Sequence, residues 1–421
     1  MRKHIKSSAG FSLIELMVGA LIGLIATVII FQMFAVSESQ KRATTGAGDS
    51  LQAGNQALFQ LERDVSLAGF GLSKHLFGCT INGWYDTGVP GGQLLKFTLV
   101  PVIVKNGLGN LSDSITVFSG SADKVSIPTG LYIDQPTPAT EYSVLNPYGF
   151  NPGDLTVAIN YKTTVAADKE CTLAQVTSVT DSDVFHIPGT YVYQGLTKTA
   201  QFNRPGGLPA PANVTYKRFL SPTKGGGLLF NIGRLPRILT YRVIGTDLVM
   251  GNEFMPAGTP IVVAENVVQF QVQYAIDGGD PMLPANTLGK SDGIFNMNLA
   301  PPLASNLANM AMSTAVQDHW ANDLPALPAG TSYTPEQWSK ILAVRMAIVT
   351  KGEYVQPKPG QSCDATTANP KWTNAGNVDL DISGVPNWQC YRYKVQEMTV
   401  PLRNITWAPS ELGIMPPKPE A

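Results

Sequence analysis

Residues 6–36 read KSSAGFSLIELMVGALIGLIATVIIFQMFAV, a basic leader ending at Gly10 followed by an apolar run that starts at Phe11. The run continues to Val36, which is long enough to span a bilayer, since a helix needs about 20 apolar residues for that. It carries a single charge, Glu15. Because an unpaired acid in lipid is expensive, we expect this carboxylate to meet a cation at the same depth. The partner suggested by the sequence is the α-amine that cleavage after Gly10 would free.

Two other interpretations of this segment fit less well. A secretory signal has an apolar core of about 7–15 residues followed by a small-residue cleavage site. Here the small residue, Gly10, precedes the apolar core, and the core is too long. A plain membrane anchor would explain the apolar run, but it would explain neither the Gly10–Phe11 junction nor Glu15.

The order of residues 10–18, GFSLIELMV, resembles the cleavage and methylation signature of type IV prepilins and type II secretion pseudopilins. This resemblance implies that a prepilin peptidase cuts between Gly10 and Phe11. It also implies that the new N-terminal Phe11 is methylated. Glu15 would then pair with a terminal amine in the growing filament.

The apolar run leads into a second helical segment. No proline occurs before Pro90, and apolar residues recur along one face, interrupted by three glycines. The pattern predicts one helix over residues 12–70 whose second half is amphipathic and lies on a sheet. The predicted contact stripe consists of Leu51, Leu58, Leu61, Val65, Ala68 and Leu72, and we interpret Glu62, Arg63 and Asp64 as a solvated face.

From residue 73 onward, short apolar runs alternate with Gly, Pro, Asn and Asp, a sequence pattern typical of strands and turns. We therefore predict an α+β, pilin-like fold: a long N-terminal helix packed on an antiparallel sheet, with an enlarged β-rich head. The predicted strands cover residues 94–104, 113–120, 154–161, 189–195 and 237–245, with a loop over 203–227. Within residues 260–277, alternation predicts that Val268, Phe270, Val272 and Tyr274 face the core, whereas Gln269, Gln271 and Gln273 face outward.

The C-terminal part contains an irregular insert over residues 278–333. A capping box at residues 334–337 predicts a short helix to about Ile341, followed by a strand over 342–350 and a last strand over 390–407. The predicted divisions are a leader (1–10), a membrane or filament-core segment (11–36), an amphipathic helical continuation (37–72), a β-rich head (73–260) and a pilin-like sheet region (261–421) with a disulfide loop (363–390).

The four cysteines, Cys79, Cys171, Cys363 and Cys390, all follow the apolar segment and show no C-x-x-C spacing. An even number of cysteines in an exported head suggests two disulfides, although three pairings, and free buried thiols, are compatible with the sequence. We favour Cys79–Cys171 and Cys363–Cys390, because the second pair closes a short polar loop beside a strand.

Four later segments sharpen the family resemblance. They are LERDVSLAGF at 61–70, VVQFQVQYAID at 267–277, LAVRMAIVT at 342–350 and YRYKVQEMTVPLRN at 391–404. In order and rough spacing they resemble the PilW family of minor pilins, whereas residues 75–260 carry no motif of that family. The acidic turn usual in the family is only partly present, as Asp277 and Asp280, so calcium binding is a weak alternative to a hydrogen-bonded turn.

The resemblance implies a minor pilin of a Gram-negative bacterium that takes part in pilus assembly, in an initiating or tip complex. Its expected partners are other minor pilins, the major pilin, the prepilin peptidase, the inner-membrane assembly platform and a tip adhesin. The basic leader would stay in the cytoplasm, with the head in the periplasm before assembly and at the pilus afterwards. The alternatives are a type II secretion minor pseudopilin and a pilin-anchored adhesion or interaction module.

Nothing in the sequence indicates an enzyme, a metal site or a cofactor. The four histidines are scattered, and H-E-x-x-H, G-x-S-x-G and Walker A motifs are absent from the sequence. The net charge of −1 gives no basic excess, so nucleic-acid binding is not indicated. A membrane-anchored periplasmic enzyme is therefore the weakest interpretation, and an enzyme on an anchor would not need Glu15.

Overall fold

The computed structural model describes residues 12–88, 92–108, 111–121, 127–136, 140–161, 170–207, 215–254, 258–277, 319–322, 324, 333, 335–355 and 362–406. Helix α1 (Leu13–Ser66) has 54 residues and is continuous through Gly46, Gly48 and Gly54. At 1.5 Å per residue it is roughly 80 Å long. The single long helix predicted from the sequence is present, and it ends four residues before the predicted boundary.

The head that follows is built from short strands. They are β1 (Cys79–Tyr85), β2 (Gln93–Leu99), β3 (Val102–Lys105), β4 (Ser114–Ser119), β5 (Thr129–Gly130), β6 (Gln135–Pro136), β7 (Glu141–Ser143), β8 (Leu155–Tyr161), β9 (Glu170–Gln175), β10 (Ser178–Val179), β11 (Asp183–Phe185), β12 (Thr190–Tyr193), β13 (Leu196–Thr199), β14 (Thr215–Tyr216), β15 (Gly226–Gly233), β16 (Arg237–Ile244) and β17 (Asp247–Asn252). A short 3-10 helix, Lys74–Leu76, connects α1 to β1.

The C-terminal region has fewer and longer elements. They are β18 (Ile261–Glu265), β19 (Val267–Ile276), β20 (His319–Ala321), α2 (Pro335–Trp338), β21 (Ile341–Tyr354), β22 (Lys371–Trp372), β23 (Val378–Asp379), β24 (Tyr391–Pro401) and α3 (Arg403–Thr406), with 3-10 turns at Thr373–Ala375 and Trp388–Cys390. The predicted short helix before a strand is therefore α2 followed by β21.

Three larger sheets organise these strands. The six-stranded sheet has the order β2-β1-β9-β8-β15-β5, the five-stranded sheet β18-β17-β16-β4-β3, and the four-stranded sheet β20-β19-β21-β24. Their pairs are antiparallel except for β1 with β9. The predicted α+β fold, a long helix joined to a large β-rich head, is confirmed.

The predicted strand over residues 94–104 is two strands in two sheets. β2 pairs with β1, whereas β3 pairs with β4. Pro101 lies between them and has no N–H to donate, so the chain leaves one sheet there and enters the other. Its carbonyl accepts from Phe118 N at 2.9 Å, which fixes the corner.

The second half of α1 packs on β21 and β24 of the four-stranded sheet. Of the predicted stripe, Leu58, Leu61, Val65, Ala68 and Leu72 are buried. Leu51 is exposed, and this part of the prediction was wrong. The contact there is made instead by Ser50 and Gly54, whose small size lets the helix lie closer to the sheet.

The alternation predicted for β19 is correct on one face only. Phe270, Val272 and Tyr274 are buried in the main hydrophobic core, but Gln269 and Gln273 are also buried. The outward face of the sheet is covered by a second cluster that includes Trp372, Leu380 and Ile382. A sheet covered on both faces cannot show a simple polar and apolar alternation. Val268 packs on this second cluster, next to a register shift between Val267 and Gln269.

Candidate assembly site

The first turn of α1 holds Glu15 in a defined position. Ser12 precedes the helix with an extended backbone, at φ −69° and ψ 142°. Its backbone N–H donates to Oε2 of Glu15 at 2.9 Å. The carboxylate therefore lies at the free N–H groups of the first turn, where the helix dipole favours a negative charge.

The other two residues of the predicted signature, Gly10 and Phe11, lie outside the described residues. The N–H that donates to Glu15 belongs to Ser12, the residue that follows Phe11 in the sequence.

The apolar half of α1 is exposed in the part of the chain that the structure describes. Every described residue from Ser12 to Val36 is exposed, and the helix is long and apolar enough to cross a membrane. A Cβ added at Gly19 or Gly23 would meet no atom within 4 Å. This G-x-x-x-G face is open for the approach of another helix, because small residues let helix backbones come close in a membrane.

A polar contact joins the middle of α1 to the sheet. Oγ of Ser50 lies 2.7 Å from Oγ1 of Thr350, which also donates to the carbonyl of Ser50 at 3.0 Å. One turn later, a Cβ on Gly54 would lie 2.4 Å from Cδ of the buried Gln396. Gly54 has a low helix propensity, but the absence of a side chain there is what allows α1 to lie close to β24.

Asp64 corrects the interpretation of residues 62–64 as a solvated face. Asp64 is only 3% exposed, whereas Glu62 and Arg63 are exposed. Its carboxylate accepts hydrogen bonds from Tyr241 Oη at 2.5 Å and from Gln60 Nε2 at 2.9 Å. Burial, together with the bond to Asp64, raises the pKa of Tyr241 above its usual value. The hydrogen bond between Asp64 and Tyr241 joins the C-terminal end of α1 to the five-stranded sheet.

The four cysteines form two pairs in the structure. Cys79 pairs with Cys171 across the parallel strands β1 and β9, with Cα atoms 6.0 Å apart. Cys363 pairs with Cys390, with Cα atoms 4.8 Å apart. Both pairs agree with the pairing favoured from the sequence. The second pair ties the segment that covers the outer face of the four-stranded sheet to the start of β24.

Arg345 is a buried cation that joins several segments of the C-terminal region, and the sequence analysis did not predict this role. It is 3% exposed in the middle of β21, and its guanidinium lies 4.2 Å from the ring centroid of Trp320 and 5.6 Å from that of Trp372. Nε donates to Gln273 Oε1 at 2.6 Å, and Nη1 donates to the Asn374 carbonyl at 2.5 Å. Burial lowers the pKa of Arg345 to about 10, so it stays charged at neutral pH. The signal in the sequence was the single cation in the apolar run LAVRMAIVT.

The proposed acidic turn is only partly within the described residues. Asp277 is buried, and its backbone N–H donates to the Lys340 carbonyl at 2.8 Å. Burial lowers the pKa of Lys340, and the negative charge of Asp277 partly offsets this by raising it. Asp280 lies outside the described residues. Among the residues that are described, no group of three or more His, Cys, Asp or Glu side chains is placed to hold a metal ion.

One region of the chain is similar to a known protein family. Residues 250–404 match the family model of PilW, described as Type IV Pilus-assembly protein W. The match begins in β17 and ends in α3, so it spans the four-stranded sheet and the cover on its outer face. No curated protein and no solved structure matches the chain.

Proposed function

We propose that this chain is a PilW-type minor pilin that takes part in type IV pilus assembly. The match of residues 250–404 to the PilW family model supports this proposal. The observation that carries this proposal is the difference in exposure between the two halves of α1. Its first half exposes an apolar surface with one acid in the first turn, while its second half is built into a folded head. Such a helix is suited to a subunit that moves from a bilayer into a bundle of like helices.

In the proposed mechanism, the precursor sits in the inner membrane with its head in the periplasm. Cleavage after Gly10 frees an amine on Phe11, which is then methylated. Burial of the apolar half against neighbouring pilins removes water from the first turn, where an ion pair between Glu15 and a terminal amine is strong. Glu15 therefore sets the register between subunits.

The size of the head supports a place at the tip of the filament. Residues 73–421 follow the helix, and a head of this size at every position would crowd a helical shaft. We propose that one or a few copies join other minor pilins in an initiating or tip complex at the distal end of the shaft formed by the major pilin. The assembly platform in the inner membrane and a tip adhesin are the further partners in this proposal.

The test is deletion of the gene in its own host, followed by complementation with the full chain. We expect loss of surface pili in the deletion strain, recovery with the wild-type chain, and copurification of other pilins with it. A strain that keeps its pili but stops type II secretion would assign the chain to that system. A strain with normal pili that no longer adheres would make the head an adhesion module.

Processing is tested on the same strains by mass analysis of the protein's N-terminus. We expect the wild-type chain to begin at a methylated Phe11. A bulky residue at Gly10 should leave the uncut precursor in the membrane, because the peptidase site needs space there. A Gly10→Trp chain that still begins at Phe11 would refute the proposed cleavage.

A further inference from the structure

A groove of about 500 Å³ lies in the head, between β2 and the outer face of β3, β4 and β16. It begins at the corner around Pro101, where the chain passes from the six-stranded to the five-stranded sheet. Its volume is within the range of pockets for small ligands. The groove lies outside the family match, except for Glu253 at its end.

The floor of the groove is apolar and rigid. Phe97, Phe118 and Ile238 line it. Phe254 supports the floor, with its ring centroid 5.7 Å from Phe97 and 6.3 Å from Phe118. Phe118, Ile238 and Phe254 are buried in the main core, so the floor is fixed by packing. The partly exposed ring of Phe97 is the part of this floor that a sugar ring could contact.

A layer of hydroxyl groups lies next to this floor. Thr116 and Thr240 are opposite each other on β4 and β16, and their Oγ1 atoms are 2.9 Å apart. Ser114 lines the groove one row further along β4. Each hydroxyl can both donate and accept, which matches the hydroxyl groups of a saccharide.

Three cations surround the groove. Lys105 and Arg242 both lie opposite Ser114, on the two strands that flank β4, so their strands are about 10 Å apart. Lys96 lies on β2. All three side chains are exposed, and none forms an ion pair within the described part of the chain. Among the described residues that line the groove, Glu253 is the single acid.

We propose that this groove binds a carboxylated oligosaccharide. The three cations pair with carboxylates, Arg242 in the bidentate manner open to guanidinium groups. The threonine hydroxyls donate hydrogen bonds to sugar hydroxyls and accept from them, and the carboxylate of Glu253 accepts from sugar hydroxyls. A polyphosphate or a DNA backbone offers no such hydroxyl donors to the carboxylate of Glu253.

The test measures binding of the full chain, held in zwitterionic nanodiscs, to tetragalacturonic acid by calorimetry. Maltotetraose is the neutral probe of equal length, and tripolyphosphate is the polyanion without sugar hydroxyls. We expect the acidic saccharide to bind at least about ten-fold more tightly than either, since one charged hydrogen bond is worth that factor. Equal binding of tripolyphosphate would overturn the proposal in favour of a general anion surface.

Two arginines of the same strand provide a matched control. Arg242 lines the groove, whereas Arg237 is exposed on β16 and does not line it. Arg242→Ala should weaken binding about ten-fold, and Arg237→Ala should leave it unchanged. Thr240→Val should weaken it by a few-fold, because one hydroxyl is lost. Equal loss in both arginine variants, or no binding of the acidic saccharide at millimolar concentration, would contradict the proposal.

Discussion

The two halves of α1 belong to one continuous helix but meet opposite surroundings. From Ser12 to Val36 every described residue is exposed, whereas residues 50–66 bury a stripe that includes Ala57, Leu61 and Val65. The second half contributes to the head's hydrophobic core. The first half buries no side chain against the described residues, so we explain its apolar sequence by contacts with a membrane or with other subunits. The same kind of substitution should therefore have different consequences in the two halves.

The largest expected effect on folding comes from a matched pair of leucines. Leu61→Ala removes a side chain that is 0% exposed and should lower the free energy of unfolding of the head by about 2–5 kcal/mol. Leu24→Ala, at a position 64% exposed in the first half, should leave that free energy unchanged. Denaturant titration of the full chain in detergent, followed by tryptophan fluorescence, measures both. An equal loss in the two variants would break the comparison.

The disulfide between Cys363 and Cys390 should also act on the head alone. It joins residues 27 apart, and its removal in Cys363→Ala/Cys390→Ala should lower the free energy of unfolding by about 3 kcal/mol. The apolar half of α1 should still insert into membranes. Peptide mapping without reductant checks the bond itself, and alkylation of both thiols in the native protein would show that it does not form.

A smaller loss of stability is expected from the contact between Asp64, at the C-terminal end of α1, and Tyr241. Tyr241→Phe removes the hydroxyl that donates to buried Asp64, and a buried charged group that loses a partner is destabilising by about 2–3 kcal/mol. Tyr132→Phe, at a side chain 56% exposed, is the control and should stay within about 0.5 kcal/mol of wild type. If Tyr241→Phe matches this control, the pair does not hold the helix to the sheet.

The smallest of the four effects depends on pH. His186 is buried beside Tyr142, its two ring nitrogens have no partner in the described residues, and burial lowers its pKa from 6.5 to about 3. The unfolded chain therefore binds a proton that the folded chain excludes, so stability falls as pH drops below about 6.5. Between pH 7.5 and pH 5 the expected loss is about 2 kcal/mol.

The variant His186→Phe tests the source of this pH dependence. It keeps an aromatic ring against Tyr142 and has no group that titrates. Its free energy of unfolding should change less between pH 7.5 and pH 5 than that of the wild-type chain. Equal slopes in the two proteins would assign the effect to another group.

Much of the fold could be predicted because its signals are local. The long helix follows from an uninterrupted apolar and amphipathic pattern, and β21 from the run LAVRMAIVT. The errors at Leu51 and Gln273 arose from contacts between distant segments. Leu51 is exposed because Ser50 and Gly54 approach the sheet, and Gln273 is buried because Arg345 and the cover over the outer face lie on it.

The residues of the candidate site likewise fall into those that local sequence predicts and those that depend on contacts between distant segments. Glu15 stood out in the sequence because a single acid in a long apolar run has no local explanation. Asp64 did not, because its neighbours Glu62 and Arg63 are exposed and only the approach of Tyr241 makes it a buried acceptor. The groove around Thr116 and Arg242 could not be predicted either, since four strands from separate stretches of the chain form it.

The most direct test of the account compares two acids on the same helix, Glu15 in the first half and Glu62 in the second. Glu62 is exposed, so Glu62→Leu serves as the control. Both variants should insert into the membrane and unfold like the wild-type chain. Copurification with other pilins, measured from the complemented deletion strain, should be lost in Glu15→Leu and kept in Glu62→Leu. Normal recovery of partner pilins with Glu15→Leu would contradict the claim that the first half of α1 exists for assembly.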